Sequence, residues 1–410
     1  MPLPNSDSED LLFAGLKVVD CGTWIAGPVA GTILADFGAS VIKVEMPGTG
    51  DPYRALANSP LSPASPWNYM WMCDGRNKRS ITLNLAHPDG REVLMRLVRD
   101  CDVFITNQPF PTRRKLRLNY EDLAPDNPRM IYASLTAYGE AGPDAEREGF
   151  DHSAWWARSG LMDRVRYPGA VPGNSVPGMG DHPTAVSLYA AIVTALLRRE
   201  RTGKGGKVHT SLLANGVWAN ACLAQAAFAG ARFPVREVPP PPARIPNRVT
   251  YETADGRFMN FFMVRTHEDF DAVLIAAGRD DLLADERFAD PEARLEHGLE
   301  LVEILRKTFA SKPAAHWRTA FQEHGVPVTM VAEVEELPGD PQMEANNIVV
   351  PPSDARVPAP LIVNHPLNID GMPRAGVRYA PEVGEDTAEI LAELGYDEPA
   401  VITFRANGVI

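Results

Sequence analysis

The chain has 410 residues, of which 45% are hydrophobic, and this is enough for two or three domains with large cores. Its net charge of −13 disfavours nonspecific nucleic-acid binding, which depends on neutralising phosphates with Lys and Arg. No apolar run reaches the roughly 20 residues of a membrane span, and the start lacks the pattern of a signal peptide, so we predict a cytoplasmic protein.

The cysteines indicate neither a disulfide framework nor a metal centre. Cys21, Cys73, Cys101 and Cys222 lie far apart in the sequence, and no C-x-x-C pair occurs. We therefore expect buried thiols and no metal site.

The first third of the chain alternates strand and helix patterns. Residues 16–20 (LKVVD) predict a buried parallel strand, followed by a loop with Gly and Pro and an apolar helix over about 29–37. Residues 41–45 (VIKVE) predict the strand that completes a βαβ unit. The alternation continues with a helix after Pro88 and strands over 103–106 and 130–135. This order predicts an α/β fold with a Rossmann-like, doubly wound large domain.

Two basic clusters lie near predicted strand ends. They are Arg76, Lys78 and Arg79, and further on Arg113, Arg114, Lys115 and Arg117. Basic runs are usually solvated surface. However, ligands of open α/β sheets bind beyond the carboxyl ends of the strands, so the loops at 22–27 and 106–117 should converge. That convergence would make the second cluster available to a polyanionic ligand.

The first strand–helix turn does not have the sequence of a dinucleotide-binding loop. Residues 21–28 read C-G-T-W-I-A-G-P, which does not fit the G-x-G-x-x-G spacing. No phosphate-binding G-x-x-x-x-G-K-[ST] sequence is present either. A nicotinamide-dependent dehydrogenase is therefore disfavoured.

The rest of the chain predicts a second, smaller domain and a return to the first. Residues 184–199 form a strongly apolar helix pattern with a buried middle. A proline-rich stretch at 234–248 cannot be a helix or a central strand. We predict a large domain from residues 1–225 and 336–410, a linker over 226–248 and a smaller α+β domain over 249–335.

Asp181 lies between a Gly-Met-Gly turn and the apolar helix, and two interpretations are open. Asp at a helix start commonly caps the helix, and Pro183 suits the first turn. Alternatively, the helix dipole could keep the carboxylate ionised, and free N–H groups nearby could stabilise charge that develops on an acyl oxygen. The flanking glycines would let a bulky thioester approach. Composition alone favours neither interpretation.

Seven short sequences, in the same order, resemble those of the class III (CaiB/BaiF-like) CoA-transferases, and the resemblance covers nearly the whole chain. They are residues 16–28 with Ala35-Asp36-Phe37-Gly38-Ala39, Val41-Ile42-Lys43-Val44-Glu45, Asn77-Lys78-Arg79-Ser80-Ile81, Ser134 with Tyr138-Gly139 and Gly142-Pro143, Gly180-Asp181, Arg201-Thr202-Gly203-Lys204-Gly205, and Gly384-Glu385-Asp386-Thr387. Each one is a weak signal, but seven in register form a specific one.

The resemblance implies a particular chemistry. Asp181 falls on the family's catalytic aspartate, which attacks an acyl-CoA thioester and carries CoA as an aspartyl thioester before an acceptor carboxylate takes it. The positions implied to contact the thioester or the CoA are Trp24, Ile25, Ala26, Asn77, Lys78, Asn107, Arg114, Lys115 and Tyr138. The implied partners are an acyl-CoA, a small carboxylic acid and a second copy of the chain in an interlocked homodimer, without nucleic acid or membrane. The resemblance also implies that coenzyme A enters as a thioester substrate and that no cofactor is permanently bound.

The sequence departs from the formyl-CoA branch of that family. Ile25 stands at the position of that branch's active-site glutamine and Met46 at that of its adenine-side arginine, and the proline-rich linker replaces its glycine-rich flap. A small oxalyl or formyl substrate is therefore disfavoured. Four side chains suit a larger or more apolar acyl group, although such residues are also common in cores: Trp24, Trp155, Trp156 and Met179.

Two other functions compete with CoA transfer. The α-methylacyl-CoA racemases of the same fold use a histidine in a Gly-His-Asp sequence, and this chain has Gly149-Phe150-Asp151, with His152 next in line. A CoA-binding protein without catalysis would not need Asp181. His152 and His182 are either acid–base groups or hydrogen-bonded structural imidazoles.

Overall fold

A computed structural model describes residues 10–238 and 243–410. Residues 1–9, where we expect no signal peptide, and residues 239–242 of the predicted linker lie outside the described residues. The chain divides into two units. The larger comprises Met1–Arg166, Val171–Phe233 and Gln342–Ile410, and the smaller comprises Tyr167–Ala170 and Pro234–Pro341.

The larger unit is built on a six-stranded sheet. Its strands are β1 (Lys17–Asp20), β2 (Ser40–Glu45), β3 (Arg79–Thr82), β4 (Val103–Thr106), β5 (Ile131–Thr136) and β6 (Gly206–Ser211). All neighbours pair in parallel in the order β3-β2-β1-β4-β5-β6. The order reverses between β1 and β4, and in open α/β sheets this is where ligands bind. The predicted α/β fold is confirmed.

Helices lie between these strands and after the last of them. They are α1 (Ala26–Asp36), α2 (Tyr69–Asp74), α3 (Pro88–Asp100), α4 (Phe110–Leu116), α5 (Tyr120–Leu123), α6 (Leu161–Arg164), α7 (Asp181–Thr202), α8 (Leu212–Ala219) and α9 (Ala221–Phe228). A 3₁₀ helix spans Pro52–Asn58, and a π-helix spans Asp151–Ala157. The predicted helix over 29–37 thus starts at Ala26, and the predicted helix over 184–199 starts at Asp181.

The smaller unit has its own sheet and core. The strands β7 (Thr250–Glu252), β8 (Phe258–Asn260) and β9 (Thr329–Met330) form an antiparallel sheet. The helices are α10 (His267–Ala276), α11 (Pro291–Glu296), α12 (Gly298–Phe309) and α13 (Ala314–Glu323), with 3₁₀ turns at Pro246–Arg248, Asp280–Leu283 and Val334–Glu336. Aromatic rings dominate the core, where Tyr251, Phe261, Phe309 and Phe321 contact one another.

The last segment returns to the larger unit. It contains α14 (Pro341–Ala345), the antiparallel pair β10 (Val349–Val350) and β11 (Ile362–Val363), α15 (Thr387–Glu393) and α16 (Glu398–Ala406). Its residues bond to the edge strand β3: the Ser80 N–H donates to Asp386 Oδ2 at 2.7 Å and the Thr82 N–H to Thr387 Oγ1 at 3.1 Å. The returning chain thereby satisfies backbone groups that an open sheet edge would leave unpaired.

Helices cover both faces of the six-stranded sheet, so successive strand residues enter two different cores. Val18 and Val103 pack with α1 and α7, whereas Val19 and Phe104 pack on the opposite face with α3, α15 and α16. Burial on both faces explains why the strands read as continuous apolar runs.

Candidate active site

A pocket of about 810 Å³ lies beyond the carboxyl ends of β1, β4 and β5 in the larger unit. Trp24, Ile25 and Ala26 line it from the β1–α1 connection, Asn107 from the end of β4, and Asp181 from the start of α7. The fold therefore brings together five of the ten site residues predicted from the sequence. The pocket lies where the topology of a doubly wound sheet predicts a ligand site.

The β1–α1 loop is held in a conformation that its sequence disfavours. Trp24 has a φ of 63°, in the left-handed region that bulky residues seldom occupy. Its N–H donates to Asp51 Oδ1 at 3.0 Å, and the Gly22 N–H donates to Asp20 Oδ1 at 3.0 Å. Asn107 accepts from the Thr23 N–H at 2.8 Å and donates to the Thr23 carbonyl at 2.7 Å. Asn107 is thus a clamp of the loop as well as part of the pocket wall.

Two buried ion pairs lie beneath this loop. Lys43 Nζ is 2.9 Å from Asp51 Oδ2, and Lys78 Nζ is 3.0 Å from Asp20 Oδ2, with all four side chains at most 1% exposed. Lys43 also donates to the Gly22 carbonyl, and Lys78 donates to the Pro28 carbonyl at 2.6 Å. Burial alone would raise the pKa of Asp20, but the charges of Lys78 and Lys43 outweigh it and lower that pKa. These charges are thus compensated inside the protein.

Asp181 is the first residue of α7, and Gly180 occupies the N-cap position without a side-chain capping bond. The capping interpretation of Asp181 is therefore wrong. Within the described part of the chain, the Asp181 carboxylate has no hydrogen-bond or ion-pair partner, and it faces the pocket. Burial raises its pKa to about 7, with help from the charges of Asp151 and Asp74 and against that of His182.

The turn before Asp181 is packed closely. Asp151 Oδ2 accepts from the Gly180 N–H at 3.1 Å, which ties the start of α7 to the π-helix. A Cβ added to Gly180 would lie 2.6 Å from the Trp155 indole, so only glycine allows this approach. Trp155 and Trp156 are buried and stacked on each other. They support the turn, and of the four side chains considered for the acyl group only Trp24 lines the pocket.

His182 joins this turn to α2. Its Nε2 lies 3.2 Å from Asp74 Oδ1, and its Nδ1 lies 3.0 Å from the Gly178 carbonyl. The Tyr53 hydroxyl donates to Asp74 Oδ2 at 2.6 Å. The His182 side chain is 47% exposed, so only part of the ring is shielded from water. That partial burial lowers the pKa of His182, but the hydrogen bond to Asp74 and its charge outweigh the effect and raise the pKa to about 9. Asp74 and Tyr53 were missed by the sequence reasoning, because they lie 108 or more residues from His182 and carry no motif.

The other predicted CoA contacts lie elsewhere. Asn77 is buried, donates to Asp36 Oδ1 at 2.7 Å and accepts from the Arg378 N–H, and Lys78 is held in its ion pair. Arg114 and Lys115 are exposed on α4, with Arg114 2.7 Å from Glu146, a residue of the pocket wall. Tyr138 is partly buried under the guanidinium groups of two arginines. The structure thus gives Asn77 and Lys78 structural contacts, and it places Arg114 at the rim of the pocket.

Two other kinds of feature are absent from residues 10–238 and 243–410. No group of three or more His, Cys, Asp or Glu side chains there could hold a metal ion. None of the helices in the same range has both the length and the apolar character needed to cross a membrane.

Comparison with known proteins agrees with this geometry. Residues 13–387 match the sequence pattern of CoA-transferase family III. The chain is similar to the (R)-2-hydroxy-4-methylpentanoate CoA-transferase of Clostridioides difficile, with 30% identity over 98% of this chain and 100% of that protein. It is also similar to the cinnamoyl-CoA:phenyllactate CoA-transferase of Clostridium sporogenes, with 32% identity over 95% of each chain.

The fold of a solved protein leads to the same family. A CaiB/BaiF family protein from Brucella suis has a TM-score of 0.82 and 29% identity to this chain, and the match covers 94% of this chain and 100% of that one. The matches include the β1–α1 loop, the start of α7 and the returning segment that completes the sheet edge. The chain therefore belongs to CoA-transferase family III, and it is an enzyme that transfers coenzyme A.

Proposed function

We propose that the enzyme transfers CoA from an acyl-CoA to a carboxylic acid through covalent intermediates on Asp181. The observation that carries this proposal is a pocket-lining carboxylate at a helix start that makes no hydrogen bond or ion pair with the described protein groups. A carboxylate kept for structure would have hydrogen-bond partners, because leaving a buried polar group unpaired costs stability. A nucleophile must instead be free to attack.

The proposed steps balance in atoms and charge. An Asp181 oxygen attacks the thioester carbonyl, and the C–S bond breaks to give a mixed anhydride and CoA thiolate. The thiolate attacks Cγ of Asp181 and releases the donor as a carboxylate, which leaves an aspartyl-CoA thioester. An acceptor carboxylate then reverses both steps, so that CoA leaves on the acceptor and Asp181 is free again. The thioester's energy is conserved because no step consumes water.

Two helix starts supply donors for the oxyanions of these steps. The backbone N–H groups of Ala26, at the start of α1, and of Asp181 have no acceptor among the residues described. Both residues line the pocket. N–H groups aimed at a developing oxyanion stabilise it, and the helix dipoles add to the effect.

The pocket wall favours an apolar acyl group. Trp24 and Phe150 pack edge to face at 5.4 Å, and Ile25 approaches the Gly178 turn beside Asp181. We propose a branched or aromatic acyl group, which agrees with the substrates in the names of the two similar transferases. The racemase is disfavoured because Phe150 stands where racemases have their histidine and carries no ionisable proton; the one observation in its favour is that His152, two residues on, lines the same pocket.

The test of this proposal is to trap the intermediate. The enzyme is mixed with a branched or aromatic acyl-CoA without acceptor, then with hydroxylamine, and the modified peptide is mapped by mass spectrometry. We expect the hydroxamate at Asp181, and none in Asp181→Asn. A label on another residue would refute the proposal. Stronger labelling by succinyl-CoA than by apolar thioesters would refute the acyl preference alone.

We also propose that the enzyme is an interlocked homodimer. Supporting this, α9 is an apolar helix (ACLAQAAF) without a buried residue, and Trp218 and Phe228 beside and within it are 80% and 82% exposed. Apolar surface of this kind marks an interface more often than free surface. Light scattering should give the dimer mass at low micromolar concentration. A folded monomer under those conditions would contradict the assignment.

A further inference from the structure

We propose that His182 is a protonated positioning residue, an imidazolium held between Asp74 and Gly178 that fixes the turn before Asp181 and keeps Asp181 ionised. This inference rests on the proposed role of Asp181 as the nucleophile. It adds that the positive charge of His182 allows the Asp181 carboxylate to act as a nucleophile near neutral pH.

The first argument is a count of donors. Both ring nitrogens of His182 face acceptors, the Asp74 carboxylate at 3.2 Å and the Gly178 carbonyl at 3.0 Å. A neutral imidazole carries one N–H and could satisfy only one of them, whereas an imidazolium carries two and satisfies both. Asp74 is 4% exposed and is held in place by Tyr53, so its carboxylate cannot turn away to water.

The second argument is the link from the ring to the turn. The Gly178 carbonyl accepts from the backbone N–H of His182 at 3.1 Å as well as from the ring. Gly178 has a φ of 77°, and an added Cβ would lie 2.6 Å from His182 Nδ1, so the contact requires glycine there. The imidazolium therefore ties the turn that presents Asp181 to Asp74, the last residue of α2.

The third argument is the balance of charge around Asp181. Asp151 and Asp74 both disfavour its ionised form, and His182 favours it. Of the other groups facing this network, Tyr53 and Cys73 stay neutral because burial raises the pKa of each. Arg76 pairs with Asp36 at 2.7 Å and acts on Asp74 less than His182 does. His182 is the cation that offsets the two carboxylates.

The experiment measures the rate of Asp181 acylation in single turnovers, with an apolar acyl-CoA and no acceptor, from about pH 5 to 10. The wild-type rate should rise through about pH 7, where Asp181 ionises. His182→Gln should move this midpoint up by about one unit, which slows acylation about fivefold at pH 7 and about tenfold well below it. His182→Arg, which keeps a positive charge, should restore most of the midpoint, and His152→Gln, which changes the other histidine beside the pocket, should not move it.

The outcomes separate this inference from the proposed function. An equal loss of rate at every pH in His182→Gln, or a shift in His152→Gln instead, would overturn the role of His182 while the label still maps to Asp181. A label away from Asp181 in the wild type would overturn both. Nitrogen NMR of the ring, assigned by its loss in His182→Gln, should show two protonated nitrogens at about pH 8, and a neutral ring at that pH would also overturn the inference.

Discussion

Replacing Asp181 with Asn or Ala is expected to lower the rate of CoA transfer by about 10⁴-fold or more and to leave the fold intact. The carboxylate is the only part of the residue that the proposed steps use, and no hydrogen bond within the described structure is lost with it. Initial rates with saturating donor and acceptor, measured beside circular dichroism, check both halves of this prediction.

The same variants are expected to be more stable than the wild type above pH 7. Because the pKa of Asp181 in the fold is about 7, above its ordinary value of 3.8, folding favours the protonated acid, and ionisation costs stability. The gain should be absent below about pH 4, grow as the pH rises to 7 and then stay level at roughly 1–2 kcal/mol after solvent screening. If Asp181 were a capping residue, the same replacements would instead lower the stability of the fold by about 0.5–2 kcal/mol.

A rate of CoA transfer within tenfold of wild type in these variants would show that Asp181 is not the nucleophile.

Replacing Lys78 with Met is expected to destabilise the larger unit by about 3–5 kcal/mol. The change leaves the Asp20 carboxylate buried without the ammonium 3.0 Å away, and an uncompensated buried charge is among the costliest single defects. The midpoint of urea unfolding, followed by tryptophan fluorescence, measures the effect. If Lys78→Met instead unfolds normally and only raises the Michaelis constant for the CoA ester, the ammonium serves the ligand, as the family resemblance implies.

The matched control removes two positive charges from the pocket rim. Arg114→Ala with Lys115→Ala should change stability by less than about 0.5 kcal/mol, because both side chains are exposed. It should raise the Michaelis constant for the CoA ester, and the wild-type constant should itself rise with salt as phosphate contacts are screened. An unchanged constant would mean that this basic run is ordinary surface.

The strands that sequence reasoning identified share one property, which is a continuous apolar run. Residues 18–20 and 103–106 are buried on both faces, and their sequences are readily recognised as strands. The edge strands β3 (RSIT) and β6 (GKVHTS) were not predicted, because polar residues interrupt their apolar runs. In the fold these strands tolerate polar residues because side chains such as Ser80 bond to other parts of the chain. The π-helix at Asp151–Ala157 was not predicted either, because a π-helix has no simple sequence periodicity.

Some residues of the candidate site could likewise be predicted from the sequence, and the roles of others could not. The resemblance to the class III CoA-transferases predicted Asp181 and the 24–26 loop as site residues, and these residues line the pocket. The roles of Lys78 and His182 could not be predicted, because their partners Asp20 and Asp74 lie 58 and 108 residues away in the sequence. A basic side chain on its own does not reveal whether its counter-charge belongs to a ligand or to the protein.

The hydrogen bonds between the returning segment and β3 have a consequence for folding during synthesis. The N–H groups of Ser80 and Thr82 donate to the side chains of Asp386 and Thr387, which are synthesised much later. The Asn84 N–H likewise donates to the Val409 carbonyl at 2.7 Å. During synthesis the ribosome must therefore complete the whole smaller unit before the edge strand β3 of the six-stranded sheet can form these bonds. At about 5–20 residues per second, the edge of β3 stays unpaired for tens of seconds, and unpaired strand edges are prone to aggregate.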